Sequence, residues 1–219
     1  MSPRPPSLGS GRRVGRPAGP TAQGAASREV IVDAAAGVFA RMGYDRARMA
    51  DIVEASGLSK GSVYFHFDSK EALAVAVLEI RQARWLHDVE LLLDAGAQGT
   101  PRLRRLLPAM IELHQNDPEA WVISRLTQSL SAVESTRELA AEMTQRWIDL
   151  VAGLINDAAG SERPDAELLA TVFVGAFDGL KVTVDITRAP DREAAARALA
   201  DGGAVLERML LSAAGVAAE

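Results

Sequence analysis

The sequence predicts an all-α protein of about nine helices, a three-helix N-terminal unit followed by a larger helical body, and three observations carry that reading. From Ser27 onward apolar residues recur at three- and four-residue spacing rather than in alternation. Glycines, prolines and short Asn/Asp/Ser clusters interrupt the pattern where helices must stop. Only Val182-Thr183-Val184-Asp185-Ile186-Thr187 is rich enough in β-branched residues to read as a strand, and no partner strand is in view.

Residues 1–26 hold half of the ten prolines, five glycines, four arginines (Arg4, Arg12, Arg13, Arg16) and no acid. Such a segment buries too little apolar surface to offset its ordering entropy, so it is expected to be disordered when free. Its arginines suit an arm lying along a DNA minor groove, or belong to a solvated tail; both readings stand. A helix is expected from Ser27, as N-cap, to about Gly43, with Val30, Ile31, Ala34, Ala35, Val38 and Phe39 along one face.

The next stretch, Met49 to His66, reads as two short helices around a tight turn. Ala50, Ile52, Val53 and Ala55 give the first an apolar face, and Gly57 stands where a positive φ is wanted. Ser59 is placed to cap the second, whose first turn carries Lys60, Gly61 and Ser62, while Val63 and Phe67 face inward. That is a helix-turn-helix, in which the N-terminal residues of the second helix meet base edges and phosphates. Two ordinary surface helices with a basic spot are the plainer alternative. Asp45 is the expected cap of the first helix, and Arg46 or Arg48 would add a phosphate contact. Asp68, with Glu71 three residues on, is expected to cap a long helix that carries Leu73, Val77, Ile80 and Trp85 on one side into the low nineties.

At Phe39, Gly43, Tyr44, Asp51, Ile52, Gly57, Ser59, Lys60, Gly61, Tyr64, His66, Phe67, Lys70, Glu71 and Leu73 the chain resembles the DNA-binding domain of the TetR family of bacterial repressors. The resemblance covers residues 27 to 75. It implies a double-stranded, pseudopalindromic DNA operator contacted through Arg48, Ser59, Lys60, Gly61, Ser62, Tyr64, His66 and Lys70. It also implies a homodimer whose last two helices pair with their twofold mates. The family commonly has a hydroxyl residue where Ala47 and Arg48 stand here, which leaves the start of that helix open. The expected organisation is a basic arm over 1–26, a DNA-binding domain over 27–72 and a ligand-binding and dimerisation domain over 73–219.

Charge agrees with one end meeting phosphate. Residues 1–70 carry ten Lys or Arg against six Asp or Glu, whereas residues 71–219 carry fourteen against twenty-three. Cysteine is absent, so disulfides and thiolate metal sites are excluded. No signal-peptide run and no uncharged stretch of about 18 residues is present, so the expectation is a cytoplasmic protein with no membrane partner.

In the body, helices are expected near Pro101–Gln115, Glu119–Ala132, Ser135–Ala159, Asp165–Thr187 and Arg192–Ala214. Leu169, Phe173, Ala176, Leu180 and Val184 on one helix, and Leu199, Leu206 and Leu210 on another, form stripes that fit either a dimer interface or an internal core. All three tryptophans, Trp85, Trp121 and Trp147, lie in this part. Aromatic walls with a few polar groups suit a small-molecule cavity, although each tryptophan equally fills an ordinary core. Arg125, Thr127 and Gln128 are candidate polar groups, with His114 and Thr183 as weaker ones. Arg125-Leu126-Thr127-Gln128, the helix bearing Trp147, and Lys60 to Phe67 resemble the γ-butyrolactone-type receptors of actinomycetes. That resemblance implies a small hydrophobic signalling molecule packed on Trp147, with a polar residue near Gln128 bonding it.

An enzyme is the rival reading. The histidines His66, His87 and His114 are scattered, no metal motif or glycine-rich phosphate loop is present, and no nucleophile lies beside a base in sequence. No cofactor is expected. A DNA-binding regulator without a small ligand, and one of efflux or metabolic genes answering an unrelated hydrophobic compound, remain as alternatives.

Overall fold

The computed structural model describes residues 22–93, 98–116, 121–188 and 191–216, and among them every regular element is helical. The N-terminal part comprises α1 (Ala22–Met42), α2 (Met49–Ser56), α3 (Lys60–His66) and the start of α4 (Lys70–Leu93). The body adds α5 (Thr100–Asn116), α6 (Trp121–Ser131), α7 (Arg137–Ala159), α8 (Ala166–Arg188) and α9 (Arg192–Ala213), with a 3₁₀ turn at Glu134–Thr136. The β-branched run 182–187 lies inside α8 and is not a strand. Packing along α8 overrides a local propensity worth at most about 1 kcal/mol.

Three helix starts differ from the sequence expectation. Helix α1 begins at Ala22, and Ser27 sits inside it with its hydroxyl donating to the Gln23 carbonyl at 3.0 Å. A helical serine turned back on the preceding turn is no cap. Residues 22–26 of the expected arm are therefore helical, while 1–21, with the four arginines, lie outside the described residues. Asp45 does not cap α2. The N-cap is Arg48, whose backbone N–H donates to the Asp51 carboxylate at 2.8 Å. At α4 the capping oxygen belongs to Ser69, which accepts from the Ala72 N–H at 3.0 Å, in place of Asp68. Glu71 instead accepts from the Ser135 hydroxyl at 2.9 Å.

Two cores explain how the parts hold together. Ile31, Val32, Ala35, Phe39, Ile52, Val63, Phe67, Leu73 and Val77 form the first, completed by Val122, Leu126 and Leu130 of α6 and Met143 of α7. The second gathers Trp85, Val89 and Leu93 of α4 with α5, α7, α8 and α9. Helix α4 thus passes from one core into the other, and α6 lies with one side on the N-terminal unit. Each buried Leu or Val contributes about 1.5–3 kcal/mol, so α6 is firmly joined to that unit. Ile80, expected on the inner side of α4, is 41% exposed; the buried line there runs through Leu78, Gln82 and Trp85. On α2 only Ile52 is buried, while Ala50 and Ala55 face out.

The stripes of α8 and α9 resolve into two faces. Phe173, Val184, Leu199 and Leu210 are buried within the chain, and a Cβ at Gly203 would collide with Ile111 of α5. Those positions are internal core. The apolar face left open is a different one, Leu168, Val172, Val182 and Ile186 of α8 beside Val205 and Met209 of α9. Gly175 and Gly179 fall in the same α8 row, with open space beyond them.

Candidate DNA-binding head and ligand cavity

Local chemistry sets the direction of α3. Gly57 takes φ 65°, a left-handed conformation that ends α2, and the Ser59 side chain accepts from the Ser62 N–H at 3.1 Å. Val63 and Phe67 then face the core. On the opposite side stand Lys60, Gly61 and Tyr64, with Ser62 and His66 half-buried at the edges. Phe65, outside the expected set, is 83% exposed. The signal for it was available, since a residue two positions from each inward side chain of a helix points away from them.

Lys60 holds its ammonium 5.6 Å from the Tyr64 ring centroid, and His66 stands edge-on to Phe65 at 5.2 Å. The Arg48 side chain is exposed at the start of α2. Lys70 has a structural partner: its ammonium donates to the Tyr44 carbonyl at 2.7 Å and lies 4.3 Å from the Tyr44 ring centroid. This ties the turn after α1 to the start of α4. An ammonium has three N–H donors, so a phosphate can still be met from the same atom.

In the body, α4, α6, α7 and α8, with His114 of α5, line a partly open cavity of about 760 Å³. Trp85, His114, Arg125, Thr127, Gln128, Trp147 and Thr183 all border it; the side chain of Trp121 lies outside the described residues. Trp85 and Trp147 meet edge to face at 6.5 Å, Trp85 is edge-on to His114 at 4.9 Å, and His114 to Phe177 at 5.7 Å. Burial, with the nearby Lys181 charge adding to it, lowers the His114 pKa to about 3, so this ring is neutral. The Thr127 hydroxyl donates to the Ile123 carbonyl at 2.9 Å. Arg125 forms an ion pair with Asp185 and donates to the Ala40 carbonyl of α1 at 3.4 Å.

Among the bordering residues that escaped the sequence reading are Gln82, Ser124, Asp178 and Lys181. The Gln82 amide nitrogen donates to the Met143 carbonyl at 2.6 Å, which fixes the amide's orientation. Its carbonyl oxygen has no partner among the described residues, although the side chain is buried. Such an orphan costs about 1–3 kcal/mol. Lys181 is buried as well, its ammonium 2.6 Å from Asp178 Oδ1 and 2.6 Å from Ser124 Oγ. The Ser124 hydroxyl donates in turn to Asp178 at 3.1 Å. One cue was present, a lysine one turn beyond Phe177 in an otherwise apolar row.

Among the described residues, no helix is long and apolar enough to cross a membrane. Residues 31–77 match the family model described as bacterial regulatory proteins, tetR family. The chain is 51% identical over 49 residues to the A-factor receptor protein of Streptomyces griseus, a match spanning 22% of this chain and 18% of that protein. A solved structure described as the molecular basis for control of antibiotic production by bacterial hormones is similar at TM-score 0.68 and 28% identity, covering 86% of this chain and 97% of its own. A gamma-butyrolactone receptor (ArpA-like protein) is similar at TM-score 0.58 and 25% identity, over 85% and 99%. The chain carries the N-terminal DNA-binding domain of the tetR family and is a transcriptional regulator of that type, with similarity to butyrolactone receptors.

Proposed function

We propose that the protein is a ligand-released repressor, acting as a homodimer on a pseudopalindromic operator. The observation that carries this reading is the position of α6. One side of it, Val122, Leu126 and Leu130, belongs to the core of the DNA-binding head, and the other, Ser124, Gln128 and Ser131, borders the cavity. A ligand that moves α6 moves the head. An aromatic-walled cavity beside α6 favours a small ligand over regulation without one.

Each chain has one short reading helix, and a second copy supplies the other half-site about 34–36 Å away or a multiple of that turn. The open face of α8, with residues 168, 172, 175, 179, 182 and 186 in a four-three alternation beside Val205 and Met209, is the surface for that second copy. Lys60, Lys70 and Arg48 meet phosphates. Ser59, Gly61 and Ser62 approach the backbone or base edges, and Tyr64 and His66 fix the register. Phe65 is suited to apolar contact with a thymine methyl group. Trp85 and Trp147 pack on the ligand, and Arg125, Thr127, Gln128 and Thr183 meet its polar groups. The ligand class proposed is a butyrolactone-like signal, by the similarity to receptors of that kind. The ligand shifts the head only by its differential affinity for the two states.

The test is a mobility shift with the DNA upstream of the protein's own gene, with and without an organic extract of the source culture. Binding abolished by the extract supports the reading. Binding indifferent to the extract, together with unchanged tryptophan fluorescence, contradicts ligand release.

A further inference from the structure

Lysine is almost never fully buried without a partner or a task, and Lys181 is buried where it borders the cavity. Its counter-ion is not buried with it: the side chain of Lys181 is 6% exposed and that of Asp178 46%. The cation faces the cavity wall, while the carboxylate reaches solvent. Burial lowers the ammonium's pKa from its ordinary value, and the Asp178 charge works against that fall. Two of its donors are used, on Asp178 and Ser124, and the Phe177 ring lies 5.0 Å away. One N–H remains for an incoming acceptor. An anion arriving from the cavity can take over the ammonium, because Asp178 has water to retreat to and Lys181 has none. Gln82 also borders the cavity, but its unpartnered carbonyl oxygen is itself covered, so of these two buried side chains Lys181 is the one left to an incoming ligand.

We propose that the cavity selects an amphiphilic ligand carrying an ionised carboxylate, held by Lys181 in competition with Asp178. This rests on the reading of the cavity as a ligand site and not on the lactone class: it assigns an acid where a lactone ring is neutral. It makes Lys181 a specificity residue and Asp178 a built-in competitor.

The experiment compares 4-hexylbenzoic acid with its methyl ester at pH 7.5 by calorimetry and tryptophan fluorescence. The wild-type chain is expected to bind the acid at least about tenfold more tightly, and Lys181→Met to lose that preference. Asp178→Asn, which removes the competitor, is expected to tighten the acid severalfold and leave the ester unchanged. A merely structural ion pair would give the opposite, weaker binding of both probes. Circular dichroism checks that both variants fold, and Asp178→Asn decides the matter if Lys181→Met does not. An ester bound as tightly as the acid by the wild-type chain overturns the acid proposal and leaves the cavity reading standing. Neither probe binding overturns both.

Discussion

The guanidinium of Arg125 donates to the carbonyl of Ala40, 85 positions earlier, at 3.4 Å, and so fastens the helix beside the cavity to the first helix of the DNA-binding head. Its other arm is ion-paired with Asp185 of α8. One side chain therefore touches head, cavity and the helix whose outer face is proposed for the second copy. Apolar packing of α6 on the head supplies the stiffness, and Arg125, which borders the cavity, adds a polar contact between the two.

Arg125→Ala is expected to leave operator binding within about threefold but to reduce the ligand's effect on it. Coupling of 1–3 kcal/mol corresponds to a 5- to 150-fold change in DNA affinity, and the variant should fall toward the low end. The measurement is the ratio of operator Kd with and without extract. An unaltered ratio removes Arg125 from the coupling.

Lys60→Ala is expected to weaken operator binding uniformly across sequence variants and to reduce the slope of log K against log salt by about one per subunit. Titrations at several salt concentrations check it. An unchanged slope takes Lys60 off the phosphate backbone.

How much of this was legible follows the range of the interactions. Gly57, Ser59 and the inward pair Val63 and Phe67 were read correctly because cap, turn and helix period all act within a few residues. Ser69 and Asp68 are neighbours with equal capping chemistry, so sequence could not choose between them. Lys181 with Ser124, and Gln82 with Met143, join residues 57 and 61 positions apart, which no local pattern reports. The α8 stripe was open between two readings for another reason. Periodicity shows that Phe173 and Val184 are covered but not by what, and they are covered by this chain.

Acid should destabilise the body through His114. Its folded-state pKa is lowered to about 3, whereas an unfolded histidine titrates near 6.5. The unfolded chain binds this proton first, so the stability contribution is complete above pH 6.5 and is lost as pH falls toward 3, by at most about 1.4 kcal/mol per pH unit. His114→Gln is expected to flatten the fall in Tm between pH 7 and pH 5. A variant with the same acid slope as the wild type would show that His114 is not the titrating group.

Val172→Asp places a charge in the open row of α8 and is expected to shift the chain from dimer to monomer in light scattering, with loss of operator binding at concentrations where the wild type is fully bound. A variant that remains dimeric would move the interface to another face.

The most direct test of the central claim, that occupancy of the cavity beside Trp147 governs the DNA-binding head, is a mobility shift comparing the wild-type chain with Trp147→Ala across a dose series of culture extract. The account predicts equal operator binding without extract, release of the wild type, and retention of Trp147→Ala on DNA at the same doses. Release of both proteins at the same dose would contradict it.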